Sequence, residues 1–243
     1  MPRVIIFQHS PSCSAGTIAG HLKADGAEPT IIKFYAGDQI PDLDQFNIMI
    51  VLGGTMDVWE EDAYPWLRAE KAAIRRWVKD LDRPYFGVCL GHQLLADSLG
   101  GEVGPATACE FDLAEISLSD EGMCHRLFEG VEPLFRGVQW HCAEVKRLPD
   151  GATCLASSPQ CRVAAMSYGS AAFGLQYHIE ASEQSIREWA DSDASRAALA
   201  RQYPPNYAVG VQRRVSESFA DILKNSRRIY DNFMHVAIEQ MQD

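Results

Sequence analysis

Short apolar runs alternate with helix-forming segments from the amino terminus to residue 96, and this alternation constrains the fold more than any other feature. The predicted strands lie at 4–7, 30–34, 47–52 and 85–88. The predicted helices lie at 17–25 and, from apolar residues at helical spacing, at 66–78. Consecutive strand–helix–strand units place parallel strands side by side, with helices on both faces. We therefore expect an α/β fold with a mostly parallel central sheet.

The pattern changes after residue 102. Turn residues separate further short runs at 111–118, 134–140, 153–156, 163–167 and 172–176. These predict the remaining sheet strands and a small antiparallel appendage. From 183 onward the pattern is helical, and an apolar stripe recurs at Val215, Phe219, Ile222, Ile229, Phe233 and Val236. We see no linker, so we expect a single domain over 1–243, with a core over 1–182 and a helical carboxy-terminal extension over 183–243.

Charge and cysteine content narrow the class of partner and the location. The net charge is −11, from 22 basic and 33 acidic residues, which disfavours binding to nucleic acid or to an anionic membrane surface. No apolar run approaches the roughly 20 residues of a membrane helix, and the amino terminus turns polar at Gln8, too early for a signal peptide. The seven cysteines are scattered without a C-x-x-C pair, so we expect mostly buried or half-buried thiols and a cytoplasmic protein. Nothing demands a metal or an organic cofactor.

One segment has the pattern of a nucleophile elbow. A predicted strand runs into Gly87-Val88-Cys89-Leu90-Gly91, and a predicted helix follows. Glycine suits both outer positions because a side chain there would crowd the tight turn. The start of the helix favours a thiolate over a thiol at Cys89, and the N–H of Leu90 is placed to donate to an oxyanion.

A base and its orienting group follow at the end of the last predicted strand. His178 and Glu180 are two residues apart, so an extended backbone directs both side chains to the same face. Alone, this spacing is a weak signal. Combined with Cys89 on an elbow, it predicts a Cys-His-Glu triad.

These motifs together resemble the class I, or triad-type, glutamine amidotransferases, which have a flavodoxin-like fold. The resemblance is greatest to stand-alone members similar to the amidotransferase domain of GMP synthase. It covers about residues 4–181, and its further motifs lie at 53–58, 64–67, 70–71, 140–141 and 148–158. The chain departs from the family pattern at Ile179 and Thr55, where proline is common.

The resemblance implies a role for each matching residue. Cys89 would attack the side-chain amide of glutamine to form a γ-glutamyl thioester, His178 would transfer the proton to ammonia, and Glu180 would orient His178. The N–H groups of Gly54 and Leu90 would form the oxyanion hole. Substrate contacts would come from Gly53, Gln93, Gln139, Trp140 and His141. His92 and His141 are expected to have no direct chemical role.

Three functions remain open at this point. The first is a glutaminase-type subunit that passes ammonia to a separate synthase, because the chain contains no Walker-type loop or second catalytic module of its own. The second is a free-standing hydrolase of γ-glutamyl peptides or amides with the same triad. The third is a non-catalytic regulatory module, which the intact triad disfavours. The apolar stripe of the extension either packs on its own domain or forms a homo-oligomer. The acceptor, pathway and allosteric control are not specified by the sequence.

Overall fold

The computed structural model of the chain describes residues 2–242, and a nine-stranded sheet dominates it. Its strands are β1 (Val4–Gln8), β2 (Thr30–Lys33), β3 (Ile48–Val51), β4 (Tyr85–Val88), β5 (Glu102–Leu118), β6 (Leu134–Arg147), β7 (Ala152–Ser157), β8 (Ala165–Tyr168) and β9 (Ala172–Leu175). The helices are α1 (Gly16–Ala24), α2 (Trp66–Arg75), α3 (Leu90–Ser98), α4 (Asp120–Met123), α5 (Glu183–Asp191), α6 (Asp193–Gln202), α7 (Tyr207–Glu217) and α8 (Phe219–Gln240). The spatial strand order is β2-β1-β3-β4-β9-β8-β7-β5-β6.

The first five strands in that order are parallel. Every residue of β1, β3, β4 and β9 is buried, as expected for parallel strands covered by helices on both faces. The carboxyl ends of β1, β3 and β4 therefore lie at one edge of the sheet, next to the end of β9. This confirms the predicted fold class and places the elbow at that edge.

The antiparallel strands continue the same sheet instead of forming a separate appendage. β8 pairs with β9, and β7, β5 and β6 follow, all antiparallel. β5 and β6 are long and irregular, with register shifts in their pairing. The antiparallel part is thus larger than the short runs in the sequence suggest, because a bulged 17-residue strand has no continuous apolar periodicity.

The helical extension packs on its own chain. On α8, the ring of Phe233 lies 4.9 Å from that of Phe86 on β4, measured between centroids, and Ile229 is fully buried in the same core. Helices α5 and α7 enclose a second apolar cluster with β5 and β6. The predicted apolar stripe therefore completes the core. No helix within residues 2–242 has the length and apolar character needed to cross a bilayer.

The expectation of unpaired thiols is wrong for one pair. Cys109 on β5 and Cys142 on β6 form a disulfide, with their Cα atoms 4.1 Å apart. The antiparallel pairing of these strands brings together two cysteines separated by 33 positions, which their spacing in the sequence does not reveal. The free cysteines are Cys13, Cys89, Cys124, Cys154 and Cys161.

Candidate active site

Cys89 lies at the junction of β4 and α3 in a strained backbone conformation. Its φ is +51° and its ψ is −104°, a region that residues other than glycine rarely adopt. A Cβ on Gly87 would approach the backbone of Gly91 to 2.5 Å, and one on Gly91 would approach the carbonyl oxygen of Val51 to 2.1 Å. Only glycine fits at these two positions, and this confirms the steric reason for the Gly-x-Cys-x-Gly pattern.

The surrounding strands hold Cys89 at the sheet edge. Its N–H donates to the carbonyl oxygen of Leu175 at 2.8 Å, extending the pairing of β4 with β9 by one residue. Its Sγ lies 3.8 Å from the carbonyl oxygen of Trp140 on β6. The thiol is nearly buried and directly precedes the first turn of α3, at the positive end of that helix dipole.

His178 and Glu180 form a buried pair beyond the end of β9. Nδ1 of His178 lies 2.6 Å from Oε1 of Glu180, and both side chains are almost completely buried. The backbone N–H of His178 donates to the carbonyl oxygen of Val138 at 2.8 Å, which anchors the segment to β6. Burial lowers the pKa of His178, but the charge of Glu180, the charge of Cys89 and the hydrogen bond to Glu180 outweigh burial and raise that pKa well above its ordinary value.

Gly53 lies against both the cysteine and the imidazole. A Cβ on this residue would be 3.6 Å from Cβ of Cys89 and 3.3 Å from Cε1 of His178. Nε2 of His178 has no hydrogen-bond partner among the described residues, whereas Nδ1 is bonded to Glu180. The structure thus brings Cys89, His178 and Glu180 together in the order thiol, imidazole, carboxylate.

The two predicted oxyanion donors line the same pocket as Cys89. A Cβ on Gly54 would approach Cδ2 of Leu90 to 2.4 Å, so the loop after β3 and the start of α3 are in close contact. Within residues 2–242, the N–H of Gly54 has no hydrogen-bond acceptor. The loop after β3 and the start of α3 therefore meet beside the thiol, and a side chain at position 54 would displace the side chains of Leu90 and Met56.

The pocket has a volume of about 200 Å³, and its lining includes residues of the helical extension that the sequence analysis did not identify. Trp189 of α5 lies with its ring centroid 4.4 Å from that of His178, and its Nε1–H donates to the carbonyl oxygen of Ser12 at 2.9 Å. Trp140 donates from Nε1 to Oγ of Ser195 on α6 at 2.9 Å. The extension therefore covers the site. Its aromatic residues lie on a predicted amphipathic helix, a pattern that indicates core packing and gives no signal for a pocket.

The remaining predicted contact residues differ in position. Trp140, His141 and Gln93 line the pocket, and Gln93 donates from Nε2 to the carbonyl oxygen of Ala143 at 2.9 Å. The side chain of Gln139 is fully buried and lies outside the pocket lining. Alternation along β6 does not explain this difference, since it places Gln139 and His141 on the same face of the strand.

The two further histidines have structural contacts. His92 is fully buried, and its Nε2 lies 3.1 Å from the carbonyl oxygen of Val163. Burial lowers its pKa to about 3, which keeps this imidazole neutral. His141 is held by the carbonyl oxygen of Ala143 at 3.0 Å from Nδ1 and by Glu110 at 3.1 Å from Nε2.

A cysteine on a strand–helix elbow, next to a histidine–carboxylate pair at the edge of an α/β sheet, is typical of a hydrolase that works through a thiol. Comparison with known proteins gives the family. The sequence model of the family "Glutamine amidotransferase class-I" matches residues 15–188. The chain belongs to the class I glutamine amidotransferases.

Two relatives agree with this assignment, and a solved structure shares the fold. The chain is 34% identical to one subunit of the glutamine-hydrolyzing GMP synthase of Sulfolobus acidocaldarius, over 67% of this chain and 81% of the relative. It is 39% identical to the corresponding subunit from Thermococcus kodakarensis, over 45% of this chain and only 57% of that relative. A glutamine amido transferase from Methylobacillus flagellatus shares the fold, with a TM-score of 0.87 at 22% identity over 98% of this chain and 96% of the other.

Proposed function

We propose that this protein hydrolyses the side-chain amide of glutamine through a triad of Cys89, His178 and Glu180. The observation that carries the proposal is the position of Cys89. It lies on a strained elbow, and both Cys89 and the ring of His178 lie against Gly53. Cys89 lines the pocket, and the buried carboxylate of Glu180 holds the imidazole of His178 in one orientation.

In the proposed reaction, the thiol of Cys89 gives its proton to His178, Sγ forms a bond to the carboxamide carbon of glutamine, and the π electrons of the C=O bond move to the oxygen. The tetrahedral intermediate collapses with loss of the C–N bond, and His178 delivers the proton to the departing nitrogen, which leaves as ammonia. Water then attacks the γ-glutamyl thioester with His178 as base, releasing glutamate and restoring the thiol. The raised pKa of His178 supports this assignment because a protonated imidazole is the acid that the first step requires.

The N–H groups of Gly54 and Leu90 are proposed to bind the oxyanion. Both residues line the pocket next to Cys89, and the N–H of Gly54 has no other acceptor within the described residues. Such preorganised donors stabilise charge that develops only in the transition state. Gly53, Gln93, Trp140 and His141 are proposed to contact the rest of the substrate. Gly53 is not a lining residue but stays in this set because it lies against Cys89 and His178, whereas the side chain of Gln139 is fully buried outside the pocket lining.

We further propose that the ammonia passes to a separate synthase subunit. The support is the similarity to relatives whose names describe them as one subunit of a GMP synthase. A homo-oligomer as one alternative and a cytoplasmic location remain predictions from the sequence, as does the assignment of residues 1–243 to a single domain.

The decisive experiment measures ammonia from glutamine and glutamate from γ-glutamyl peptides, with the purified chain alone and with the synthase subunit of a relative added. We expect ammonia from glutamine, at a rate that the added protein increases. Peptide cleavage with negligible glutamine hydrolysis under both conditions would reject the proposal in favour of a γ-glutamyl peptide hydrolase. The Cys89→Ala variant serves as the blank for both assays.

A further inference from the structure

A buried histidine–glutamate pair lies against the Gly53–Gly54 loop. His9 follows β1, and its Nδ1 lies 3.0 Å from the carbonyl oxygen of Gly53. Its Nε2 lies 2.9 Å from Oε1 of Glu70 on α2. Both side chains are completely buried. The triad does not use either residue, so the pair needs another explanation.

The peptide bond between Gly53 and Gly54 connects this pair to the active site. The structure contains no cis peptide among the residues it describes, and in a trans peptide the C=O and the following N–H point in opposite directions. Since the C=O of Gly53 points at His9, the N–H of Gly54 points away from His9. Gly54 lines the pocket, so this N–H is directed to the side where the oxyanion would form.

Hydrogen-bond chemistry assigns the protons of His9. A carbonyl oxygen can only accept, so Nδ1 must carry a proton and donate to Gly53. Nε2 faces a carboxylate, which is also an acceptor. Burial opposes a charge on His9, but the carboxylate of Glu70 and the bond to Gly53 outweigh burial and raise its pKa. An imidazolium with both N–H groups donating satisfies both contacts.

The imidazole itself has little freedom to move. The ring of Phe34 stacks on it with the centroids 5.8 Å apart. A Cβ on Gly54 would lie 3.1 Å from Cβ of His9, so the loop rests directly on this residue. Glu70 is in turn fixed on α2, whose inner face is buried. The loop conformation is therefore held from behind by groups that do not contact substrate.

We propose that His9, held by Glu70, is a positioning residue that orients the Gly53–Gly54 peptide so that the N–H of Gly54 faces the oxyanion. A donor bonded to the carbonyl of a peptide also polarises that peptide, which strengthens the N–H on its other end. The contribution belongs to the transition state, because the oxyanion does not exist in bound glutamine. This inference rests on the proposed function.

The test compares His9→Gln with His9→Asn. In His9→Gln the side-chain amide reaches toward Glu70 and the donor at the Nδ1 position is lost, whereas in His9→Asn a side-chain amide N–H takes the Nδ1 position. We expect His9→Gln to lower kcat for glutamine by about tenfold to a hundredfold with little change in KM, less than removal of a whole oxyanion donor. His9→Asn should retain kcat within about threefold, because the donor to Gly53 remains.

Alkylation of Cys89 by iodoacetamide separates positioning from structural damage. This displacement at a saturated carbon needs the thiolate but forms no oxyanion, so both His9 variants should react at the wild-type rate. A parallel loss of alkylation and turnover in His9→Gln, an unchanged kcat in that variant, or an equal loss in His9→Asn would each overturn the inference. A wild-type enzyme that alkylates at Cys89 but does not hydrolyse glutamine would instead reject the proposed function.

Discussion

At the scale of single residues, the geometry assigns unequal weight to the three members of the triad. In the proposed mechanism, Cys89 forms the bond and His178 transfers the proton, whereas Glu180 acts through one contact with Nδ1 of His178. The interpretation of Cys89 comes from the local sequence, since the two glycines have a steric reason that any strand–elbow–helix would share. The position of His9 could not be predicted, because an isolated histidine after a strand gives no signal.

Substitution of the triad should reveal these roles. Cys89→Ser and His178→Ala should each lower kcat by about 10³-fold or more, and the double variant should lose little beyond either single change because the two act as a unit. Glu180→Gln should cost less, because it keeps a hydrogen-bond acceptor for Nδ1. Steady-state ammonia release measures all four. Equal and mild losses at the three positions would contradict the assignment.

The buried neutral His92 predicts a specific acid sensitivity. Its pKa is about 3 in the folded chain against 6.5 as its ordinary value, so the unfolded state binds a proton between these values that the folded state does not. Stability should therefore fall as the pH falls below 6.5, by about 2–3 kcal/mol at pH 4.5 from this group alone. In His92→Gln, which can still reach the carbonyl oxygen of Val163, that part of the loss should disappear.

Urea denaturation of wild type and His92→Gln at pH 7 and pH 4.5 isolates this effect, since other titrating groups are common to both. His9 and His178 contribute the opposite dependence of stability on pH. Their pKa values are raised in the folded chain, so their protonation stabilises the fold below pH 6.5, and this contribution is lost as the pH rises through the folded pKa values. An identical pH dependence in the two proteins would rule out the assigned role of His92.

At the scale of elements, the position of α8 was only partly predictable. The apolar periodicity predicts a helix with one buried face, and it leaves open whether that face meets the same chain or a second copy. The structure packs α8 on α1 and on the core around Phe86. Contacts between residues so far apart in sequence depend on the topology of the sheet, which periodicity does not encode.

Two substitutions on α8, one at a buried position and one at an exposed position, test this packing. Phe233 is 1% exposed and Leu223 is 38% exposed. Phe233→Ala should lower the free energy of unfolding by about 3–5 kcal/mol because it leaves a cavity, while Leu223→Ala should cost less than about 1 kcal/mol. Urea denaturation of both variants provides the measurement. Similar small losses would show that α8 does not complete the core.

At the scale of the whole molecule, the disulfide joins β5 to β6 at the pocket rim, where Cys142 is a lining residue. The bond joins residues 33 positions apart, and closing a loop of that length restricts the unfolded chain. Cys142→Ser or reduction should therefore lower the free energy of unfolding by about 2–4 kcal/mol. A thiol titration in denaturant checks the pairing directly. It should count five thiols before reduction and seven after, and seven at the start would exclude the bond.

The sequence by itself determined the alternation of strands and helices, the elbow at Cys89 and the His178–Glu180 pair, because each depends on backbone geometry within a few neighbouring residues. Only the tertiary structure decided which residues enclose the pocket. The cover formed by Trp189 and Ser195, the bond between Cys109 and Cys142, and the contact of His9 with Gly53 join segments distant along the chain. Such contacts arise from the way strands and helices pack, and local patterns of residues do not record that packing.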